Sequence, residues 1–81
     1  MRFADRHCVI TETFEPYHQY HFTGQCIITG KEVTVSVKGD ELFNYRQGGY
    51  IQNTLVSNNA DEREFLMSGI SPDGWDKTFG K

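Results

Sequence analysis

The segment Glu32-Val33-Thr34-Val35-Ser36-Val37-Lys38 alternates β-branched apolar residues with polar ones, and a period of two is the signature of a strand with one buried face. An α-helix would scatter these three valines around its axis. The rest of the chain must therefore supply partner strands and a cover for that face. Immediately upstream, Thr29-Gly30-Lys31-Glu32 places glycine at the first central position of a type II′ turn, where a positive φ is wanted. A two-residue loop at Gly30-Lys31 pairs Ile28 with Val33, Cys26 with Val35 and Gly24 with Val37. Tyr20, Phe22, Cys26 and Ile28 then share the face of the valines.

The stretch from Arg6 to Phe14 is rich in Thr, Val and Ile, and Glu15-Pro16-Tyr17-His18 reads as its connection to the next strand, because proline cannot donate to a sheet ladder. A hairpin centred near Tyr17 brings Cys8 opposite Cys26 and keeps Ile10 and Phe14 on the same side. The expectation is a three-stranded antiparallel meander. After Lys38, Gly39-Asp40 opens a short helix over Glu41 to Gln47 and Gly48-Gly49 stops it. Residues 50–56 read as a fourth strand or an extended connector. Asn59 with Glu62 forms a capping box for a helix carrying Phe65, Leu66 and Met67 that ends at Gly69. Ser71-Pro72 starts another, with Trp75 and Phe79 on one face. Strands first and helices after give an α+β fold: a three-stranded or four-stranded antiparallel sheet, then two to three short helices on one face. Leu42, Phe65, Leu66, Ile70, Trp75 and Phe79 are the expected cover.

At 81 residues the chain holds one core and one domain, 1–81. Eight basic residues against 11 acidic, a formal charge of −3, argue against wrapping a phosphate backbone, since Lys31, Lys38, Arg46 and Arg63 are scattered. No apolar run approaches the roughly 20 residues of a membrane span, and Met1 to Arg6 has no signal-peptide core. These features point to a cytosol, where Cys8 and Cys26 stay thiols.

His7, Cys8, His18, His21 and Cys26 are residue types that zinc prefers. Their spacing works against a site: His18 and His21 point to opposite faces of a strand, and no C-x-x-C pair exists. His7 and Cys8 likewise face opposite ways and make a poor nucleophile–base dyad. The acidic run Asp61, Glu62 and Glu64 is what a helix N-terminus collects. No phosphate loop or dinucleotide fingerprint is present. The chain therefore reads as non-enzymatic, with no metal and no cofactor. Tyr17, Tyr20, Phe22, Tyr45 and Tyr50 raise the alternative of stacking on single-stranded nucleic acid, but the basic groove is missing. Tyr17, His18, Tyr20, His21 and Phe22 read better as a protein-binding surface, because tyrosine combines area with a polar tip and histidine changes charge near neutrality.

Cys26-Ile27-Ile28-Thr29-Gly30-Lys31, Tyr45-Arg46-Gln47-Gly48, Tyr50-Ile51-Gln52-Asn53 and above all Arg63-Glu64-Phe65-Leu66, Ser68-Gly69-Ile70, Pro72 and Trp75-Asp76 resemble a family of small uncharacterised bacteriophage and prophage proteins. The resemblance implies a product acting in the cytoplasm of an infected bacterial host. It brings no activity with it. Together with the small size it leads to the expectation of an accessory protein that binds a host or phage protein, inhibits a host process or defence system, and forms a homodimer. A small structural zinc-binding protein stands as a further alternative.

Overall fold

The computed structural model describes residues 1–80. Helix α1 (Ala4–His7) precedes a meander of β1 (Val9–Thr13), β2 (Gln19–Gln25) and β3 (Glu32–Lys38); α2 (Gly39–Arg46), α3 (Ile51–Thr54), α4 (Ala60–Ser68) and α5 (Pro72–Phe79) follow. The sheet is antiparallel in the order β1-β2-β3. This is the α+β class, with five short helices among the described residues instead of two or three, one of them ahead of the sheet. Residues 51–54 form a single helical turn, so the fourth strand is absent and the extended connector is replaced. None of these helices is long and apolar enough to cross a membrane.

Both registers differ from the sequence expectation. Val33 faces Gly24 instead of Ile28, and Val35 faces Phe22 instead of Cys26. The two-residue turn gives way to a six-residue loop, Cys26 to Lys31, whose own bonds outcompete it. Gly30 N–H donates to Cys26 C=O (2.8 Å), Cys26 N–H to Lys31 C=O (2.9 Å) and Ile27 N–H to Gly69 C=O (2.9 Å). Gly30 does take a positive φ of 76°, though inside this longer loop. The first hairpin places Ile10 opposite Phe22, which shifts Cys8 towards Gly24 and away from Cys26. Each displacement is an even number of residues, so every side chain that remains in a strand keeps its expected face.

The covered face holds Phe22, Val35 and Val37, packed with Leu42, Leu55, Phe65 and Leu66, all buried. Each such side chain contributes about 1.5–3 kcal/mol by leaving water. Met1, Phe3 and Ala4 join this core, and the Phe3 ring meets Phe65 edge-on at 5.3 Å. Asp5 accepts from the Arg46 guanidinium at 2.9 and 3.1 Å and from the Met1 ammonium at 3.1 Å. The helices cover β2 and β3 but stop short of β1, all five residues of which are exposed. Ile10 and Phe14 consequently face the covered side of the sheet with no helix over them, and Ile28 lies exposed in its loop. Trp75 and Phe79 stack on each other at 4.6 Å on the outside of α5. They do not enter the core as expected, because Gly74, with a Cβ position only 2.8 Å from Cys26 Sγ, is the residue α5 turns inward.

The helix boundaries follow the expected signals. Asn59 and Glu62 make both bonds of the capping box, Glu62 N–H to Asn59 Oδ1 at 2.8 Å and Asn59 N–H to Glu62 Oε1 at 3.1 Å. Gly69 closes α4 in the left-handed conformation. Ser71 Oγ accepts from Gly74 N–H at 3.2 Å, with Pro72 at the first helical position.

Candidate interaction surface

Between β1 and β2 the chain reverses over residues 14–18, and the side chains around this tip form one connected group. His18 donates from Nε2 to Glu12 Oε2 at 2.6 Å. Its ring is stacked on Phe14 (centroids 5.0 Å apart, 4° between planes) and tilted against Tyr20 (4.9 Å, 58°). Strand alternation places Glu12, Phe14, His18 and Tyr20 on one side, which is why they meet. Burial first, and then the neighbouring Glu12 carboxylate, push the Tyr20 phenol above its ordinary value.

The group is wedged against α2. Gly39 N–H donates to His18 C=O at 3.0 Å, and a Cβ on Gly39 would overlap the His18 ring. Glycine is required there by close approach. Beside it Lys38 Nζ lies 5.5 Å from the centre of the Tyr17 ring, and Tyr17, His18, Lys38 and Asp40 line a shallow hollow of about 350 Å³. The tip thus offers two exposed rings, Phe14 at 64% and Tyr17 at 50% exposure, in an orientation held by charge and stacking. An exposed aromatic already fixed in one rotamer loses little entropy on binding, which is what a docking anchor needs.

Of the five residues singled out from sequence, Tyr17, His18 and Tyr20 come together here. His21 lies on the opposite face, where its two ring nitrogens engage Thr13 Oγ1 (2.8 Å) and Ser36 Oγ (2.7 Å). Phe22 is fully buried. It belongs to the core, because the central strand is covered by helices on that side, and it is unavailable to any partner. Glu12, Phe14 and Gly39 are the members of the group that sequence reasoning left out; the shared parity of 12, 14, 18 and 20 was the signal for the first two.

The remaining chemistry is dispersed. Among the described residues no three His, Cys, Asp or Glu side chains converge as metal ligands. Cys26 is 1% exposed and accepts N–H bonds from Ser71 (3.3 Å) and Thr29 (3.5 Å). Burial drives its thiol up, and the bonds from Ser71 and Thr29 outweigh that and lower it to about 6. A reactive thiolate also needs access, and this sulfur has none. A broad open depression of about 800 Å³ beside it is lined by Phe3, His7, Gly24, Cys26, Ile27 and Glu32 among others. The open sheet face carries Thr11, Thr13, His21, Thr23, Thr34 and Ser36, with Thr23 and Thr34 hydroxyls 2.9 Å apart. His21 is the one ring among these residues, and both of its nitrogens are engaged by Thr13 and Ser36. The tyrosines are split among the tip, α2 and the α2–α3 connection, so they build no continuous stacking platform for bases.

Comparison with protein-family models, with curated proteins and with solved structures found no match.

Proposed function

We propose that the chain is a non-enzymatic accessory protein that docks another protein through the tip of its β1–β2 hairpin. The observation that carries this reading is the exposed Phe14–His18–Tyr20 stack, anchored by Glu12 and Gly39, with Tyr17 beside it. Core packing does not explain why Phe14 and Tyr17 are held in the open. A partner with an apolar pocket bordered by polar groups would bury both rings, each worth roughly 150–250 Å². The family resemblance from Cys26 to Asp76 supplies the setting, a bacterial or phage protein in an infected cell, with inhibition of a host process as the consequence of docking.

The test is capture from bacterial lysate by the immobilised protein, comparing the wild type with a Phe14→Ser, Tyr17→Ser double variant and with Phe43→Ser. Phe43 is equally exposed but lies on α2, outside the group. A protein enriched by the wild type and by Phe43→Ser, and lost with the double variant, supports the tip. Capture retained by the folded double variant removes it. The nucleic-acid alternative predicts binding to single strands that weakens steeply between about 50 and 200 mM salt, whereas a protein-docking tip leaves no such complex.

A further inference from the structure

Two backbone bonds reveal which way the peptide groups of the sheet point. Gly39 N–H donates to His18 C=O, and Cys26 N–H to Lys31 C=O. Both pairs lie in the continuous register that joins Tyr20 to Val37 and Phe22 to Val35. In an antiparallel ladder hydrogen-bonded pairs alternate with non-bonded ones, so the even residues of β2 bond to β3 and the odd residues bond to β1. Val9, Thr11 and Thr13 therefore spend their peptide groups on Thr23, His21 and Gln19. Ile10 and Glu12 present N–H and C=O outward, with no acceptor or donor among the described residues.

The other edge is partly covered. By the same alternation Ser36 points its carbonyl outward from β3, and Asn58 Nδ2 donates to it at 2.8 Å. Asn59, Asp61 and Pro72 stand beside Val33 to Val35. Edge β1 has no proline, no lysine and no break in its register to protect it. Its one charge, Glu12, is already engaged by His18.

We propose that β1 pairs antiparallel with β1 of a second copy, about a two-fold axis at Thr11, to give a continuous six-stranded sheet. In this register Ile10 of each chain faces Glu12 of the other, and these are the outward-pointing residues, so four N–H···O=C bonds form and no outward group of either is left over. Thr11 faces its own copy as a non-bonded pair, and Val9 faces Thr13. All five strand residues pair, and the two Glu12 carboxylates do not oppose each other. Moving the axis to Glu12 would set like charges face to face. Moving it to Ile10 would use Cys8, whose N–H is already given to Ala4 C=O. An isologous pairing of this kind closes on itself, so β1 is used up once two copies have joined.

Val9 and Ile10, 69% and 44% exposed, flank the axis on opposite faces. With the strand backbone, two copies bury less than about 1,000 Å², below the usual range for specific interfaces. The dimer is therefore weak and concentration-dependent, and it leaves the hairpin tips at opposite ends, free to dock partners.

The experiment is sedimentation equilibrium from about 5 to about 500 μM, a span that brackets a weak interface, together with amide hydrogen exchange at both ends of it. The expected result is a mass rising from 9.3 kDa towards twofold, with the Ile10 and Glu12 amides gaining protection only at high concentration. Ile10→Pro, which removes an outward N–H and spares the β1–β2 ladder, should remain monomeric, while Ile10→Ala should still associate. A monomer throughout, or a dimer in which the Ile10 and Glu12 amides exchange freely, overturns the proposal without any variant. Because Phe14→Ser, Tyr17→Ser keeps these peptide groups, a monomeric wild type that still captures a protein through the tip refutes the edge pairing alone.

Discussion

Replacing Gly39 by alanine tests whether the hairpin tip is preorganised. Helix propensity alone favours the change, by up to about 1 kcal/mol in a helix interior and less at the first residue. Opposing it, the new Cβ overlaps the His18 ring, and the Gly39 backbone cannot retreat without breaking its 3.0 Å bond to His18 C=O. The ring must swing out. It then loses the 2.6 Å bond to Glu12, worth roughly 0.5–1 kcal/mol at an exposed site. It also loses contact with Phe14 and Tyr20, worth roughly 0.5–1.5 kcal/mol per aromatic pair. The net expectation is a destabilisation of about 0.5–4 kcal/mol, a fall in melting temperature of at least a few degrees for a domain of this size. Urea unfolding followed by circular dichroism gives the free energy, and histidine side-chain NMR reports whether His18 has left Glu12. A variant as stable as the wild type or more so, with His18 still bound to Glu12, would refute the claim that this glycine holds the tip in place.

Asn59→Ala removes the acceptor that caps α4 and leaves Glu62 N–H without it; the cost is about 1 kcal/mol, readable as a drop of roughly 4–8 °C in melting temperature. Leu66→Ala, at a fully buried site, should cost about 2–5 kcal/mol in urea unfolding. For Asp5, hydrogen bonding by Arg46 outweighs burial and, with the Met1 ammonium, lowers the carboxyl from 3.8 to about 2. The folded pKa lies below the unfolded one, so its stabilisation is complete above about pH 4 and is lost as pH falls through 2. With a side chain 36% exposed, solvent screening reduces the effect to about 1 kcal/mol or less. Asp5→Asn should show that deficit at pH 7 and approach the wild type near pH 2.

The sequence patterns that survived into the structure are those settled within a few residues: the Val33-Val35-Val37 alternation, the Asn59–Glu62 box, Ser71-Pro72 and the stop at Gly69. The registers were not legible because the Cys26–Lys31 loop is held by a bond to Gly69, far along the chain, and no local rule sees that bond. Helix α1 is four residues long, and its place depends on Phe3 meeting Phe65 and Gly69. Residues 51–54 carry a mixed pattern that a single helical turn resolves by burying Leu55 just beyond it. Face parity was readable, coverage was not: Phe14 and Phe22 share a side of the sheet, yet one is open and the other sealed, because the helices end before β1. The same limit removes Phe22 from the candidate surface and brings in Phe14 beside Tyr17, His18 and Tyr20.

The most direct test of the docking tip places a photo-crosslinking phenylalanine analogue at Tyr17 in one variant and at Phe43 in another, with irradiation inside bacterial cells. The proposed docking tip predicts one discrete adduct from position 17 that disappears when Phe14→Ser is added, and none from position 43. Adducts from position 43 alone, or an adduct at 17 indifferent to Phe14, would contradict it.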